Sequence, residues 1–191
     1  MDYTKGTEES KSNRAKKMML WFGIISLSMS FAGLTSAYVV SKERGDWLEN
    51  LELPEAFYVS LFVIILSSLT MHFAKKMVAQ EEQKAGMFLL LATLILGLLF
   101  IYLQLRGFSE IYLESGYAFN ENIAFSFIYV IVVVHVGHII AAIISLLVVI
   151  YNHFKQRYKN GKTLGIELAT TFWHFVDFLW IYLFLFFYFV R

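Results

Sequence analysis

Five long apolar runs, each near the length that crosses a bilayer, constrain this chain more than any other feature. They cover approximately residues 18–40, 55–74, 86–106, 123–150 and 165–190, and a hydrocarbon core of roughly 30 Å needs about 20 such residues in a helix. The runs are continuously apolar rather than alternating. A β-barrel is therefore excluded, and only helices can satisfy their own backbone polar groups inside lipid. The expected fold is an all-α integral membrane protein, a bundle of five transmembrane helices. With 58% hydrophobic residues and a mean hydropathy of +0.60, the chain lies well above the roughly 45–50% apolar content of soluble domains. The fourth run, about 28 residues long, exceeds a perpendicular crossing and should tilt or project.

Residues 1–17 read as a polar segment ahead of a membrane domain at 18–191. The first run is too long for the apolar core of a typical signal peptide and is followed by no evident cleavage site, so it reads as a retained helix. The chain has no cysteine, which removes disulfides, thiolate metal sites and cysteine catalysis. Dispersed basic residues suggest no nucleic-acid site. The one proline, Pro54, falls at the expected start of the second helix, where a missing N–H is tolerated. Gly86 and Gly161 are expected in loops.

Charge predicts the orientation. Five Lys and Arg precede the first run, three lie between the second and third, and four between the fourth and fifth, whereas the opposite side holds only Lys42, Arg44, Arg106 and Arg191. The positive-inside bias then puts the N-terminus in the cytoplasm and the C-terminus outside. Acidic residues such as Glu43, Asp46, Glu49 and Glu110 gather in the opposite loops.

Ionisable side chains within a bilayer are expensive, and each calls for a named partner. The fourth run contains His135 and His138 around Gly137, on neighbouring faces of a helix that another helix could approach at the glycine. The closing stretch TFWHFVDFLWIYLFLFFYFV, residues 171–190, carries His174 and Asp177, and Glu167 falls within about 20° of His174 on the wheel. Depth counted from the helix ends brings His138, His174 and Asp177 to similar levels. Because helices joined by a short loop usually pack side by side, a buried cluster of His135, His138, His174 and Asp177 between helices 4 and 5 is expected.

Such a cluster admits a satisfied packing network, a proton relay or ion site, a metal site, or haem held between His174 and His135 or His138. Other polar groups suggest plainer roles. His72 and His153 read as interfacial, Ser67, Ser68 and Thr70 as bonding to their own or a neighbouring helix, and Gln104 and Arg106 as closing helix 3. Trp173 and Trp180, with Glu167, are candidates for lipid or interface contacts.

Several segments resemble one family. E167-L-A-T-T-F-W-H174-F-V-D177-F-L-W180 is similar to the closing E-x-x-x-x-x-W-H-F-V-D-x-x-W signature of subunit III of the haem-copper terminal oxidases. H135-V-G-H138 resembles the family's H-G-L-H pair, FAGLTSAYVV its F-A-G-L-F-S-A-Y segment, and LPEAFYVSLFVIILSSLTMHFA its second matching helix. The resemblance spans all five runs and corresponds to the shorter bacterial form without the two leading helices of longer members. It implies a subunit with no catalytic, cofactor or metal residues of its own, with haems and copper in subunits I and II. It further implies packing against subunit I, support of proton uptake, protection of the active site, and phospholipid as a bound partner. The electron donor, cytochrome c or quinol, is decided by other subunits, as is membership of a larger respiratory assembly. On the residues alone, a small transporter or proton channel using the His/Asp cluster is the alternative from another class. One departure is chemical: many members carry a buried glutamate six residues before the glycine of F-A-G, where this chain has Leu27.

Overall fold

The computed structural model describes residues 7–44, 53–115, 122–159, 161 and 163–190. Five helices account for nearly all of them: α1 (Glu8–Ser41), α2 (Glu55–Ala79), α3 (Gln83–Ser115), α4 (Ile123–Phe154) and α5 (Leu164–Val190). All five are long and apolar enough to cross a membrane. The chain is thus a multi-pass, all-α membrane bundle.

Local chemistry explains the helix starts. Thr7 accepts a hydrogen bond from the Ser10 amide and is followed by Glu8 and Glu9, so α1 opens with a side-chain cap and favourable charge at its positive end. It therefore begins ten residues before the apolar run. Pro54 is the N-cap of α2, and Asn122 Oδ1 accepts from the Ala124 amide at 2.8 Å to open α4. Between α2 and α3 the turn is so short that α3 already includes Gly86; that glycine is a helix contact, not a loop. A β-carbon there would lie 2.9 Å from Val78 and 3.2 Å from the ring of His153. Gly161 does sit in a turn, with φ +73°.

Helices α2, α3, α4 and α5 form a closed ring, with α2 against both α3 and α5, and α4 against both α3 and α5. Helix α1 lies outside this ring, against α4 and α5. Its outer face presents Met18, Met19, Trp21, Phe22, Ile25, Met29, Val39 and Val40 outward, as a lipid-facing surface requires. Three bonds pin it to α5 at different depths. Lys17 pairs with Glu167 at 2.8 Å, Tyr182 meets Thr35 at 3.0 Å, and Lys42 Nζ donates to the Val190 carbonyl at 3.0 Å. Thr35 already donates its single hydroxyl proton to its own helix, so Tyr182 is the donor. Lys42 also places a cation at the negative end of α5.

The ring's core is aromatic. Trp173 and Trp180 are 2% and 0% exposed, so their rings pack between helices of the bundle. Large rings that bury their apolar surface drive this packing by dispersion, because lipid supplies no hydrophobic drive between helices. Gly97 makes room for one of them. A β-carbon at Gly97 would lie 2.9 Å from Trp173 Cη2, and Trp173 is held by a hydrogen bond from its indole nitrogen to Ser67. Gly97→Leu is therefore expected to destabilise the bundle by about 1–3 kcal/mol. Gly33→Leu, facing open space, should leave the thermal unfolding midpoint in detergent nearly unchanged.

Candidate functional site

Four polar side chains inside the membrane meet where α2 contacts α5. Ser67 and Ser68 are consecutive on α2, and Trp173 and His174 are consecutive on α5. Consecutive helical residues point about 100° apart, so each pair straddles the line of contact. On the inner side, Trp173 Nε1 donates to Ser67 Oγ at 3.0 Å, with Ser67 0% exposed. On the outer side, Ser68 Oγ and His174 Nδ1 are 2.6 Å apart and both residues are half-buried. Two adjacent hydrogen bonds thus join helices whose partners are 106 residues apart in the chain.

Asp177 lies one turn along from His174, 3% exposed. Neither of its carboxyl oxygens makes a hydrogen bond among the described residues. His72, one turn from Ser68 on α2, is exposed, and its ring lies 6.3 Å from that of His174. Thr70, on the same stretch of α2, bonds back to the Ser67 carbonyl at 2.8 Å and reaches Thr93 of α3 at 2.9 Å.

The four residues expected to form one cluster between α4 and α5 are divided. His174 turns towards α2 and Ser68. His135 lies inside the ring, 0% exposed, stacked on Trp180 at 5.2 Å and flanked edge-on by Phe100 at 5.9 Å and Phe31 at 6.3 Å. Neither of its ring nitrogens has a hydrogen-bond partner among the described residues. His138 bonds through Nδ1 to the Val134 carbonyl of its own helix at 2.7 Å. A carbonyl only accepts, so Nδ1 carries the proton. Phe31 of α1 covers His138 as well, at 5.6 Å. The four are not hydrogen-bonded to one another, and among the described residues no three His, Asp or Glu side chains converge as a metal ion would require.

Other expectations change too. Gly137 faces open space, and among the described residues nothing lies within 4 Å of a β-carbon placed there. His153, in the last turn of α4, is 1% exposed, with Nε2 3.0 Å from the Gln83 carbonyl. Gln104 is fully buried rather than closing α3, because that helix runs on to Ser115 and ends near the Arg106–Glu110 pair. Glu167 is half-buried where α5 starts, accepting from Thr163 at 2.7 Å and pairing with Lys17. Asp46, Glu49 and Arg191 lie outside the described residues.

Sequence reasoning placed His174 and Asp177 on one stripe but missed Ser68 as the partner of His174. The available signal was the S67-S68-x-T70-x-H72 spacing, which puts Ser68 and His72 one turn apart on α2. A buried indole that loses its acceptor should destabilise the bundle. Ser67→Ala is expected to lower stability by about 1 kcal/mol, read as a shift of the thermal unfolding midpoint in detergent. His72→Phe, at an exposed position, should shift it far less.

The family model described as "Cytochrome c oxidase subunit III" matches residues 23–191. Among curated relatives, the "Cytochrome bo(3) ubiquinol oxidase subunit 3" of Buchnera aphidicola subsp. Schizaphis graminum is 30% identical over 172 residues, 88% of this chain and 90% of its own. Its counterpart of the same name from subsp. Acyrthosiphon pisum is 27% identical over 98% of this chain and 93% of its own. A "Probable cytochrome c oxidase subunit 3" of Rickettsia bellii is 29% identical over 89% of this chain and 64% of its own. With the matched region taking in most of α1 and all of α2 to α5, the chain belongs to the cytochrome c oxidase subunit III family.

Proposed function

We propose that this chain is the non-redox accessory subunit III of a proton-pumping haem-copper terminal oxidase in a bacterial cell membrane. The observation that carries the reading is the family match over residues 23–191, whose W-H-F-V-D stretch in this chain is the segment that locks α5 to α2. In this role the chain packs on subunit I beside subunit II. Those partners carry the haems and copper, and subunit III supports proton uptake and the stability of the active site. The distribution of Lys and Arg supports a cytoplasmic N-terminus, with residues 1–17 as a cytoplasmic segment and the C-terminus outside.

The outward apolar faces suit lipid and partner helices alike. Where α1 and α5 start, Lys17, Lys75, Glu167 and Trp21 line a small hollow of about 120 Å³. Two cations, a carboxylate and an amphipathic ring at an expected interface are the chemistry that receives a phospholipid headgroup. This hollow gives Glu167 its role at the membrane surface.

Cytochrome c is the donor named by the family description, and quinol is the second reading because both Buchnera relatives carry a ubiquinol oxidase name. Purification of a tagged chain in mild detergent, followed by mass spectrometry of what accompanies it, tests the proposal. The expected result is a large multi-helix haem-copper subunit together with a second subunit. A copper-bearing domain on that second subunit indicates cytochrome c, and its absence indicates quinol. Recovery of the chain alone, stable and monodisperse, would overturn the subunit reading and favour a transporter or proton channel, detectable as flux in vesicles.

A further inference from the structure

Helix α1 meets α5 along a seam that is tied at two levels and open between them. Lys17 pairs with Glu167 near the start of α5, and Tyr182 bonds to Thr35 farther along. Between these ties lies a groove of about 420 Å³, walled by Ile24, Phe31 and Ala32 of α1 and by Phe175, Phe178 and Leu179 of α5. Past Tyr182 the seam closes, with the Tyr38 ring against those of Phe186 and Phe187 at 5.3 and 5.9 Å. The groove is therefore stopped at that end and open sideways, where Phe178 is 69% exposed.

The chemistry of the walls selects what can lie there. Two hydroxyls line the groove, and both protons are already engaged: Ser28 donates to the Ile24 carbonyl at 2.8 Å, and Tyr182 donates to Thr35 at 3.0 Å. Neither has a proton left for a ligand. A ligand carrying carbonyl groups to this depth would leave them without a donor, which costs free energy. A hydrocarbon chain has no such cost and gains dispersion contacts with the walls.

The groove continues the hollow in which Lys17, Lys75 and Glu167 gather. Thr171 of the hollow stands one turn from Phe175 of the groove on α5, and Leu20 one turn from Ile24 on α1. Charged groups at the surface and apolar walls beneath them thus follow a single seam. Two lysines and one glutamate leave one positive charge, which matches a headgroup with one negative charge. From Leu168 to Tyr182 the seam runs about 21 Å along α5, enough to lead a chain through one leaflet of a hydrocarbon core of roughly 30 Å.

We infer that the α1–α5 seam binds one singly anionic phospholipid, with its phosphate between Lys17 of α1 and Lys75 of α2 and one acyl chain in the groove. The inference rests on the reading of the hollow as a headgroup site, and adds the charge of the lipid and the place of its chain. Bound in this way, the lipid fastens the outermost helix to the ring: the phosphate bridges α1 and α2, and the chain fills the space between the two ties.

Photolabelling of the full-length chain, with any subunits that accompany it, tests this. The vesicles are phosphatidylcholine with a minor share of phosphatidylglycerol that carries a diazirine midway along one acyl chain. Mass spectrometry should find label on Ala32 and Leu179 in excess of that on Met29, which lies at similar depth on the outward face and is 71% exposed. The same probe built on phosphatidylcholine should label Met29 equally and the groove less. Ala32→Trp puts a large ring into the groove and should bring Leu179 down to the level of Met29. Lys75→Gln should lower the preference for phosphatidylglycerol about fivefold, the scale of one cation near a membrane surface. Gly33→Leu, beside Ala32 but facing open space, should change neither.

Wild-type labelling of the groove no higher than that of Met29 would overturn the proposal, as would full labelling of Leu179 in Ala32→Trp. If either occurs while Lys75→Gln still lowers the preference, the headgroup reading stands and the chain's place in the groove is refuted. An unchanged preference in Lys75→Gln refutes the headgroup reading, and the proposal falls with it. Should Ala32→Trp fail to fold, Ala32→Leu and the wild-type comparison with Met29 decide by the same criteria. Label is mapped on this chain alone, so none of these outcomes depends on which subunits co-purify.

Discussion

The paired hydrogen bonds between Ser67–Ser68 and Trp173–His174 close the ring of helices. Helices α2 and α3, α3 and α4, and α4 and α5 are neighbours in sequence and can pack as successive hairpins. The contact of α5 with α2 is the one that joins the ends of the row. In lipid, packing alone discriminates weakly between one apolar helix face and another, whereas an indole N–H or imidazole in hydrocarbon must find a partner. Two such groups on consecutive residues, matched by two consecutive hydroxyls, set rotation and register together. The inner bond is dry and the outer one half-buried.

Closure of the ring determines what the remaining polar groups can do. Trp180 lies two turns beyond Trp173 on α5, so the same rotation that places Trp173 on Ser67 brings Trp180 into the interior, against Phe57, Phe100 and His135. His135 is then enclosed by rings rather than by carboxylates. Phe31 of α1 touches the rings of both His135 and His138, so the outermost helix completes the surroundings of the histidine pair. Its attachment through Lys17, Thr35 and Lys42 runs the length of α5. The Lys17–Glu167 pair is partly exposed and contributes modestly to stability. The greater contribution comes from Phe31, Thr35 and Tyr38, which are buried.

The departures from sequence-based expectation share one physical origin. A helical wheel states which residues of one helix share a face, and His174 and Asp177 do share one. It does not state which other helix that face meets. Adjacency in sequence suggested α4, but α5 has two neighbours in the ring, and His174 bonds to α2. Hydropathy likewise underestimated α1 and α3, because both helices continue as polar turns beyond the apolar run, supported at Thr7 by a cap and at Arg106–Glu110 by an i, i+4 pair. Gly86 and Gln104 were misplaced for the same reason: each lies near the end of a hydropathy segment but within the packed part of a longer helix.

What the sequence by itself determined is the membrane class, the number of spans, the family signature and the short set of ionisable groups that a bilayer tolerates only with partners. These follow from composition and one-dimensional spacing, because the bilayer imposes a fixed length and forbids unpaired backbone. The tertiary structure decided the partners. It divided the expected four-residue cluster, gave His174 to Ser68, enclosed His135 among aromatic rings, and buried Trp173 and Trp180 in the core. Such choices depend on how helices rotate against neighbours distant in sequence, and that rotation is set by contacts that exist only once the ring has closed.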